Sequence, residues 1–466
     1  MDIIKFGTDG WRAIIAKDYT VKNVERVAYA TAQWVKAQSD NPSIVLGYDC
    51  RFGGYMFCEA IIDIMCEQGV KVYFDKDFVS TPMISLAAKK LNAVAGVIIT
   101  ASHNPPSYNG YKLKSGYGGP TVPAEITKVE EQIPETVERK AMCWDEMEKQ
   151  SLLEFHNFET MYFDHVKVNF DLDTIINSPF KLAYDAMYGA GQRILPRILP
   201  NAATLHCDYN PGFEGQAPEP IHKNLLEFSE MIKADDSLSI GLANDGDADR
   251  IGLYDSSGKF IDAHHIILLL IHILYKYKKM TGKVVIAFSV SPKIKKMCAA
   301  YGLECQVTKI GFKHIAGIMI EDDVIVGGEE SGGIAVKGHI PERDGIWDGL
   351  VILEHMAQSG KSIEELITEV YAVVGPFSYN RNDLHITNEL KAEIMANCKA
   401  DKYEAFGEFN VEGVETIDGF KYNLGNERYL MIRPSGTEPV LRVYGEAETP
   451  EMVETVLAAA RKVLLG

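Results

Sequence analysis

One pattern recurs three times along the chain and limits its fold more than any other feature. Ile44-Val-Leu-Gly-Tyr-Asp-Cys50 reads as a strand, Arg51 to Gly54 as a turn, Tyr55 to Gln68 as a helix and Val70 to Phe74 as a second strand. Lys181-Leu-Ala-Tyr-Asp185 opens the next unit, with a turn "AMYGAG", a helix from Gln192 to Leu199 and a strand near Ala203 to His206. Val284-Val-Ile-Ala-Phe288 opens the third, with "SVSP", a helix to Tyr301 and a strand from Glu304 to Thr308. Strands alternating with helices predict parallel sheets covered on both faces. A spacing on the order of a hundred residues is too long for a solenoid and reads as triplication of one α/β unit.

The tail breaks the pattern. Ile417 to Leu424 and Arg428 to Arg433 read as strands, followed by the turn "PSGTEP" and a strand from Val440 to Glu446. Thr449 is placed to cap a last helix, with Pro450 at its first position. The expected architecture is three related α/β units with mixed or parallel sheets, residues 1–155, 156–257 and 258–373, then an α+β unit over 374–466. No low-complexity linker separates them, so they are expected to pack around shared clefts, with a hinge near Val374 to Pro376.

The composition, 46% hydrophobic and 24% charged, is that of a globular protein. No apolar run approaches the ~18–20 residues that cross a bilayer; Ile266 to Tyr275 includes His272 and reads as a buried helix. The N-terminal "MDIIKFGTDGWR" has neither the basic nor the apolar region of a secretory signal. Eight cysteines show no CxxC pair or zinc spacing, which predicts reduced thiols and a cytoplasmic protein. A formal charge of −18 disfavours nucleic acid and anionic membrane as partners. An anionic substrate therefore requires cations gathered in one cleft.

Four loops carry candidate chemistry. Thr100-Ala-Ser-His-Asn-Pro-Pro-Ser-Tyr-Asn-Gly-Tyr-Lys112 leaves a buried-looking strand and at once presents Ser102, His103 and Lys112. It reads either as a polar turn or as a nucleophile loop. Asn244-Asp-Gly-Asp-Ala-Asp-Arg250 sets Asp245, Asp247 and Asp249 at alternate positions, hard oxygen ligands that suit Mg²⁺ better than zinc. An EF-hand is excluded, because Arg250 stands at the sixth position and Ser256 at the twelfth. Gly327-Gly-Glu-Glu-Ser-Gly-Gly333 offers Glu329 and Ser331 to sugar hydroxyls, although a glycine-rich turn alone says little. Arg433-Pro-Ser-Gly-Thr-Glu-Pro439 reads equally as a hairpin turn or as an anion site, with the arginine fork, Ser435, Thr437 and the amides around Gly436. Arg12, Arg343, Lys309 and Lys313 are further cations on turns. P-loop, Rossmann, zincin and GxSxG patterns are absent.

Taken together and in this order, "GTDGWR", "TASHNPPSYNGYK", "DGDADR", "GGEESGG" and "RPSGTEP" resemble the α-D-phosphohexomutase superfamily of phosphoglucomutases and phosphomannomutases. The resemblance spans the chain and implies four domains around a central cleft. It implies that Ser102 is a phosphoserine, a charge of about −1.5 to −2 when phosphorylated, and that Ser102, Asp245, Asp247 and Asp249 hold Mg²⁺. It also implies that Arg12, His103, Lys112 and Arg250 surround the transferred group. Lys112 is the expected general acid/base, with His103 able to share the task; burial would lower the lysine pKa towards neutrality and a nearby phosphate would oppose this. Glu329 and Ser331 match sugar contacts, and Arg433, Ser435, Gly436 and Thr437 the site of the phosphate that is not transferred. Lys309, Lys313 and Arg343 are further substrate cations.

The implied activity is a phosphohexomutase that interconverts hexose 1-phosphate and 6-phosphate through a hexose 1,6-bisphosphate intermediate, acting as a monomer or homodimer on small sugar phosphates. Phosphomannomutase-type members commonly end the sugar loop with histidine, where this chain has Gly333, so glucose phosphates are favoured. The alternatives are a glucose 1,6-bisphosphate synthase using a donor such as fructose 1,6-bisphosphate, a non-enzymatic sugar-phosphate-binding protein, and a phosphatase.

Overall fold

A computed structural model describes residues 4–434 and 440–466. The threefold pattern of the sequence is a threefold topology. In the first sheet the strand Ser43–Tyr48 lies between Lys71–Phe74 and Ala95–Ile99, parallel to both, and Tyr108–Ser115 returns antiparallel beside Ala95–Ile99. The second sheet repeats this with Lys181–Asp185 between Ala203–Leu205 and Leu238–Asn244, and Ile251–Asp255 antiparallel at the edge. The third repeats it with Lys283–Ala287, Cys305–Thr308, Val324–Gly328 and Ile334–Val336. Each order is second, first, third, fourth.

The sheets are therefore mixed rather than purely parallel, for a physical reason. The third and fourth strands are joined by loops too short for a crossover, so the fourth strand can only turn back antiparallel. Those three loops are the Ser102 loop, the aspartate loop and the Glu329–Gly333 turn. The repeat thus delivers three of the four chemical motifs to one topological position, the carboxyl edge of the central strands, where open α/β sheets place ligands.

Two additions matter for the site. Strand Trp11–Ile14 pairs antiparallel with Tyr108–Ser115, setting Trp11 opposite Tyr111. That register carries the N-terminal glycine turn to the neighbourhood of Lys112. Leu153–Phe155 closes the other edge of the first sheet.

One continuous apolar core joins the three units, including Val45 and Ile98 of the first, Leu182 and Ile240 of the second, and Val284 and Ile286 of the third. The run predicted as a buried helix forms Ala263–His272 within it, capped by Asp262, which accepts from the His264 and His265 amides. The last unit has a separate core, including Leu384, Ile432, Val443 and Leu457. Its sheet runs Ser378–His385, Val440–Ala447, Tyr429–Pro434, Phe420–Asn423, Gly413–Glu415, all antiparallel. Helix Pro450–Leu465 covers it, and Thr449 accepts from the Met452 amide as the sequence predicts. The strand expected from Ile417 starts only at Phe420. Gly419 turns the chain at φ +107°, and a Cβ there would sit 2.8 Å from the Ile432 carbonyl. Among the described residues no helix is long and apolar enough to cross a membrane.

Candidate active site

Ser102 is buried and adopts φ 52°, a left-handed conformation that serine reaches only when its surroundings hold it there. What holds it comes from the preceding strands. Thr100 Oγ1 accepts from the Ser102 amide at 2.8 Å and donates to Asp49 at 2.5 Å. Arg51, itself buried, donates to the Ser102 and Asn104 carbonyls at 2.5 and 2.6 Å and to the Pro105 and Tyr108 carbonyls at 2.9 and 3.1 Å. One guanidinium therefore gathers four carbonyls of the loop. Arg12 Nη1 donates to Asn104 Oδ1 at 2.7 Å on the other side. Gly246 of the second unit lies against Ser102, where a Cβ would come within 2.5 Å of the serine carbonyl.

The Ser102 hydroxyl donates to Asp245 Oδ2 at 2.6 Å. Asp245, Asp247 and Asp249 are fully buried and offer carboxylate oxygens within 4.8 Å of one another. Burial first, then the Asp249 and Asp247 charges, holds the Asp245 carboxyl well above the ordinary range. Burial also acts on Asp247, but Lys112 and Thr81 outweigh it and lower its pKa. Thr81 begins helix Thr81–Lys90 and donates to Asp247 Oδ2 at 2.5 Å. The buried Oδ1 atoms of Asp247 and Asp249 have no hydrogen-bond partner among the described residues. Three hard carboxylates, two of them with an unpartnered oxygen, fit a small divalent cation such as Mg²⁺.

Lys112 is fully buried, and its Nζ lies 2.7 Å from Asp247, 3.0 Å from Asp249 and 2.9 Å from Asp9. The expectation of a pKa lowered towards neutrality is corrected here. Burial does act in that direction, but Asp247, Asp249 and Asp9 together outweigh it and raise the lysine pKa, so the ammonium stays charged. Arg343 joins the same cluster through Asp249 at 2.7 Å and through Asp9. His103 Nδ1 lies 3.3 Å from the Ser102 hydroxyl, and Arg250 Nη2 donates to its Nε2 at 3.5 Å. Burial first, then Arg250, Arg12 and Lys112, pushes the imidazole pKa well down, so the ring is neutral.

The third loop docks on the second. Arg250 pairs with Gly333 as an isolated antiparallel bridge, and the Ile251 amide donates to the Gly332 carbonyl at 3.0 Å. Arg343 packs across Gly333, leaving a Cβ there only 2.5 Å from the arginine Cδ. Glu329 is buried and accepts from the Gly311 amide at 2.9 Å; burial, opposed by Arg343, pushes its carboxyl up to about 7. Ser331 is half-buried beside it. Lys313 Nζ reaches the Gly7 carbonyl at 3.5 Å, while Lys309 is exposed. Arg433 is half-buried and faces Asp418, with both donors 3.4 Å from it. Ser435, Gly436 and Thr437 lie outside the described residues.

Ser102, His103, Lys112, the three aspartates, Arg250 and Arg343 thus come together from three units. Sequence reading missed Asp9, Asp49, Arg51 and Thr81, which position them. The "YDCR" at the end of the first central strand was the available signal, since an Asp and an Arg directly after a buried strand need partners.

Comparison with known proteins agrees with this geometry. Family models described as phosphoglucomutase/phosphomannomutase alpha/beta/alpha domains I, II and III match residues 4–140, 160–258 and 262–374, and the model of the C-terminal domain matches 389–463. A phosphoglucomutase/phosphomannomutase of Thermococcus kodakarensis is 29% identical over 98% of both chains. A probable phosphoglucosamine mutase of Pyrococcus abyssi is 31% identical over 98% of this chain and 97% of its own. The solved structure of a protein assigned as a phosphomannomutase from Thermus thermophilus superposes with a TM-score of 0.87, at 32% identity and full coverage of both chains.

Proposed function

The chain belongs to the phosphoglucomutase/phosphomannomutase family and is a phosphohexomutase, an isomerase, and we propose that it moves one phosphoryl group through Ser102 between the two ends of a hexose phosphate. The observation that supports this most directly is the Ser102 hydroxyl, 2.6 Å from Asp245 in a buried cluster that also gathers the cations Lys112, Arg250 and Arg343. A divalent ion bound by the three aspartates would neutralise charge on the transferring group.

In the first half-reaction the bond between phosphorus and the Ser102 oxygen breaks and one to the sugar 6-hydroxyl forms; that hydroxyl gives its proton to neutral His103, and the leaving Ser102 oxygen takes one from Lys112. In the second, the phosphoryl at the 1-position returns to Ser102; the Ser102 hydroxyl gives its proton back to Lys112, and the 1-oxygen takes one from His103, so both groups end as they began. Neutral His103 is the proposed first acceptor. Charged Lys112 is the proposed acid and clamp, with Arg12 and Arg250 flanking the phosphate. Glu329 and Ser331 would hold sugar hydroxyls. Lys309, Lys313, Arg343, Arg433 and the segment Ser435 to Thr437 would take the second phosphate. The hexose 1,6-bisphosphate must turn over within the cleft, because a single serine serves both ends. The four domains are proposed to divide near residues 155, 257 and 373.

Within this class we favour glucose phosphates. The support is Gly333, where Arg343 occupies the space a side chain would need. Several relatives are named phosphoglucosamine mutases, which makes the amino sugar the competing substrate. A ³¹P NMR time course with Mg²⁺ and a trace of glucose 1,6-bisphosphate separates the readings. Turnover of glucose 1-phosphate faster than mannose or glucosamine 1-phosphate supports the proposal. Faster turnover of glucosamine 1-phosphate overturns the sugar but leaves the mutase. Net accumulation of the bisphosphate marks a synthase, and a Ser102→Ala enzyme that still isomerises overturns the reaction itself.

A further inference from the structure

Lys112 and Arg343 share two carboxylates. Asp249 Oδ2 lies 3.0 Å from Lys112 and 2.7 Å from Arg343; Asp9 Oδ2 lies 2.9 Å from Lys112 and also pairs with Arg343. The four groups form an alternating ring of two cations and two anions, drawn from the first, second and third units. Lys114 Nζ stands a further 3.5 Å from the other Asp9 oxygen. Three members of the ring are buried and Asp9 is nearly so, its side chain 12% exposed.

The two anions are not equivalent. Asp249 belongs to the loop that fits a divalent cation, and so does Asp247, the third acceptor of Lys112. A cation bound there competes with Lys112 and Arg343 for the same oxygens. Asp9 is the acceptor both cations have outside that loop. Its placement is built in by the local fold. The Gly7 amide donates to the Gly10 carbonyl at 2.9 Å, closing a turn, and Gly10 at φ +89° lies so close to the next strand that a Cβ would sit 3.1 Å from Lys112 Cα. A tight Asp-Gly turn against the lysine backbone puts Asp9 where it reaches both cations.

We propose that Asp9 is a positioning residue: it carries Lys112 and Arg343 as a second counter-ion, so that Asp247 and Asp249 can exchange these cations for a divalent ion while both stay at the cleft. The inference rests on the mutase reading for its catalytic consequence, but its first test does not. Mg²⁺ alone is titrated calorimetrically into the full-length wild type and into the D9N, K112M and D9N/K112M proteins. Without Asp9, Lys112 keeps only Asp247 and Asp249, and Arg343 keeps Asp249 and the more distant Glu342 at 3.7 Å, so more of their charge falls on the acidic loop and D9N weakens Mg²⁺ binding about tenfold, within the usual range of site coupling. In the K112M background part of that loss disappears, because Lys112 is one of the two cations that Asp9 carries. Glu at this position keeps the charge, so D9E binds Mg²⁺ close to wild type.

In steady-state assays at saturating Mg²⁺, D9N lowers kcat while KM for the sugar phosphate moves little. A folding defect that lowered the active fraction would give the same split, so circular dichroism melting of each variant and the Mg²⁺ stoichiometry from calorimetry are read alongside it. Unchanged Mg²⁺ affinity in D9N, or the same loss with and without Lys112, overturns the proposal. A wild type that binds Mg²⁺ but does not isomerise sugar phosphates overturns the mutase reading and leaves the assignment of Asp9 standing.

Discussion

Arg51 is the residue on which the Ser102 loop depends, and replacing it by methionine tests that directly. The methionine side chain keeps an apolar stem and removes the guanidinium. Four carbonyl acceptors lose a charged donor, and Asp49 loses the partner 3.4 Å away. A hydrogen bond to a charged group contributes about 1.5–3 kcal/mol, but the sum is not additive, since the carbonyls of Asn104, Pro105 and Tyr108, residues that are not buried, can turn to water. Breaking a buried pair costs about 3–5 kcal/mol because one charge stays behind. Asp49 limits that cost: burial, opposed by Arg51, already pushes its carboxyl up to about 6, so it takes up a proton once the arginine is gone. The expected local loss is therefore about 3–5 kcal/mol. A chain with several cores need not unfold in one step, so a global midpoint is the wrong readout. Native-state hydrogen exchange over residues 100–108 measures the opening of this loop itself. Exchange there should quicken by two to three orders of magnitude, roughly 1.4 kcal/mol for each, with isomerase activity falling alongside and the last sheet unchanged. An unaltered rate in R51M would refute the reasoning. The loop would then be held by its own turns, Asn104 amide to Ala101 carbonyl and Tyr108 amide to Pro105 carbonyl, both at 3.0 Å.

Three further outcomes follow from the same geometry. In Gly246→Ala the new methyl must displace the Ser102 carbonyl, 2.5 Å away, at a cost of about 1–3 kcal/mol; kcat should fall more than tenfold, roughly, and a variant as active as wild type would show that the two loops are not pressed together. Chelation should stop turnover and Mg²⁺ restore it, with D247N failing to bind Mg²⁺ by calorimetry; full activity in chelator counts against the metal site. Glu446 is buried at the seam with the last unit, and burial, opposed by Ser291 and Lys421, pushes its carboxyl up to about 8. A raised carboxyl favours the folded state only while protonated, so its contribution is full below the unfolded pKa and is lost as pH rises through about 8. Hydrogen-exchange protection factors in the last sheet should fall across that window in wild type and less steeply in E446Q, and parallel curves would remove Glu446 as the cause.

What was legible in the sequence, and what was not, divides along the distance between partners. The repeat could be read because strand, turn and helix are local patterns, and each motif could be read because its own residues are neighbours: three alternate aspartates, or a serine directly after a buried strand. That the sheets are mixed, one of the two forms expected, follows from the loops themselves, since Asp245 to Arg250 leaves no room for a crossover. The lysine pKa does not. Its direction depends on whether burial or carboxylates dominate, and the deciding carboxylates Asp9, Asp247 and Asp249 lie far from Lys112 in sequence and on two different units. The same holds for Arg51, whose role exists only because the Ser102 loop folds back over it. A charged residue in sequence carries a sign but no partner. Burial makes its partner obligatory, and the repeat, by stacking three equivalent loops at one edge, fixes which partner is within reach. The functional motifs were therefore readable one by one, whereas the charge balance that lets them act together is a property of the packed repeat.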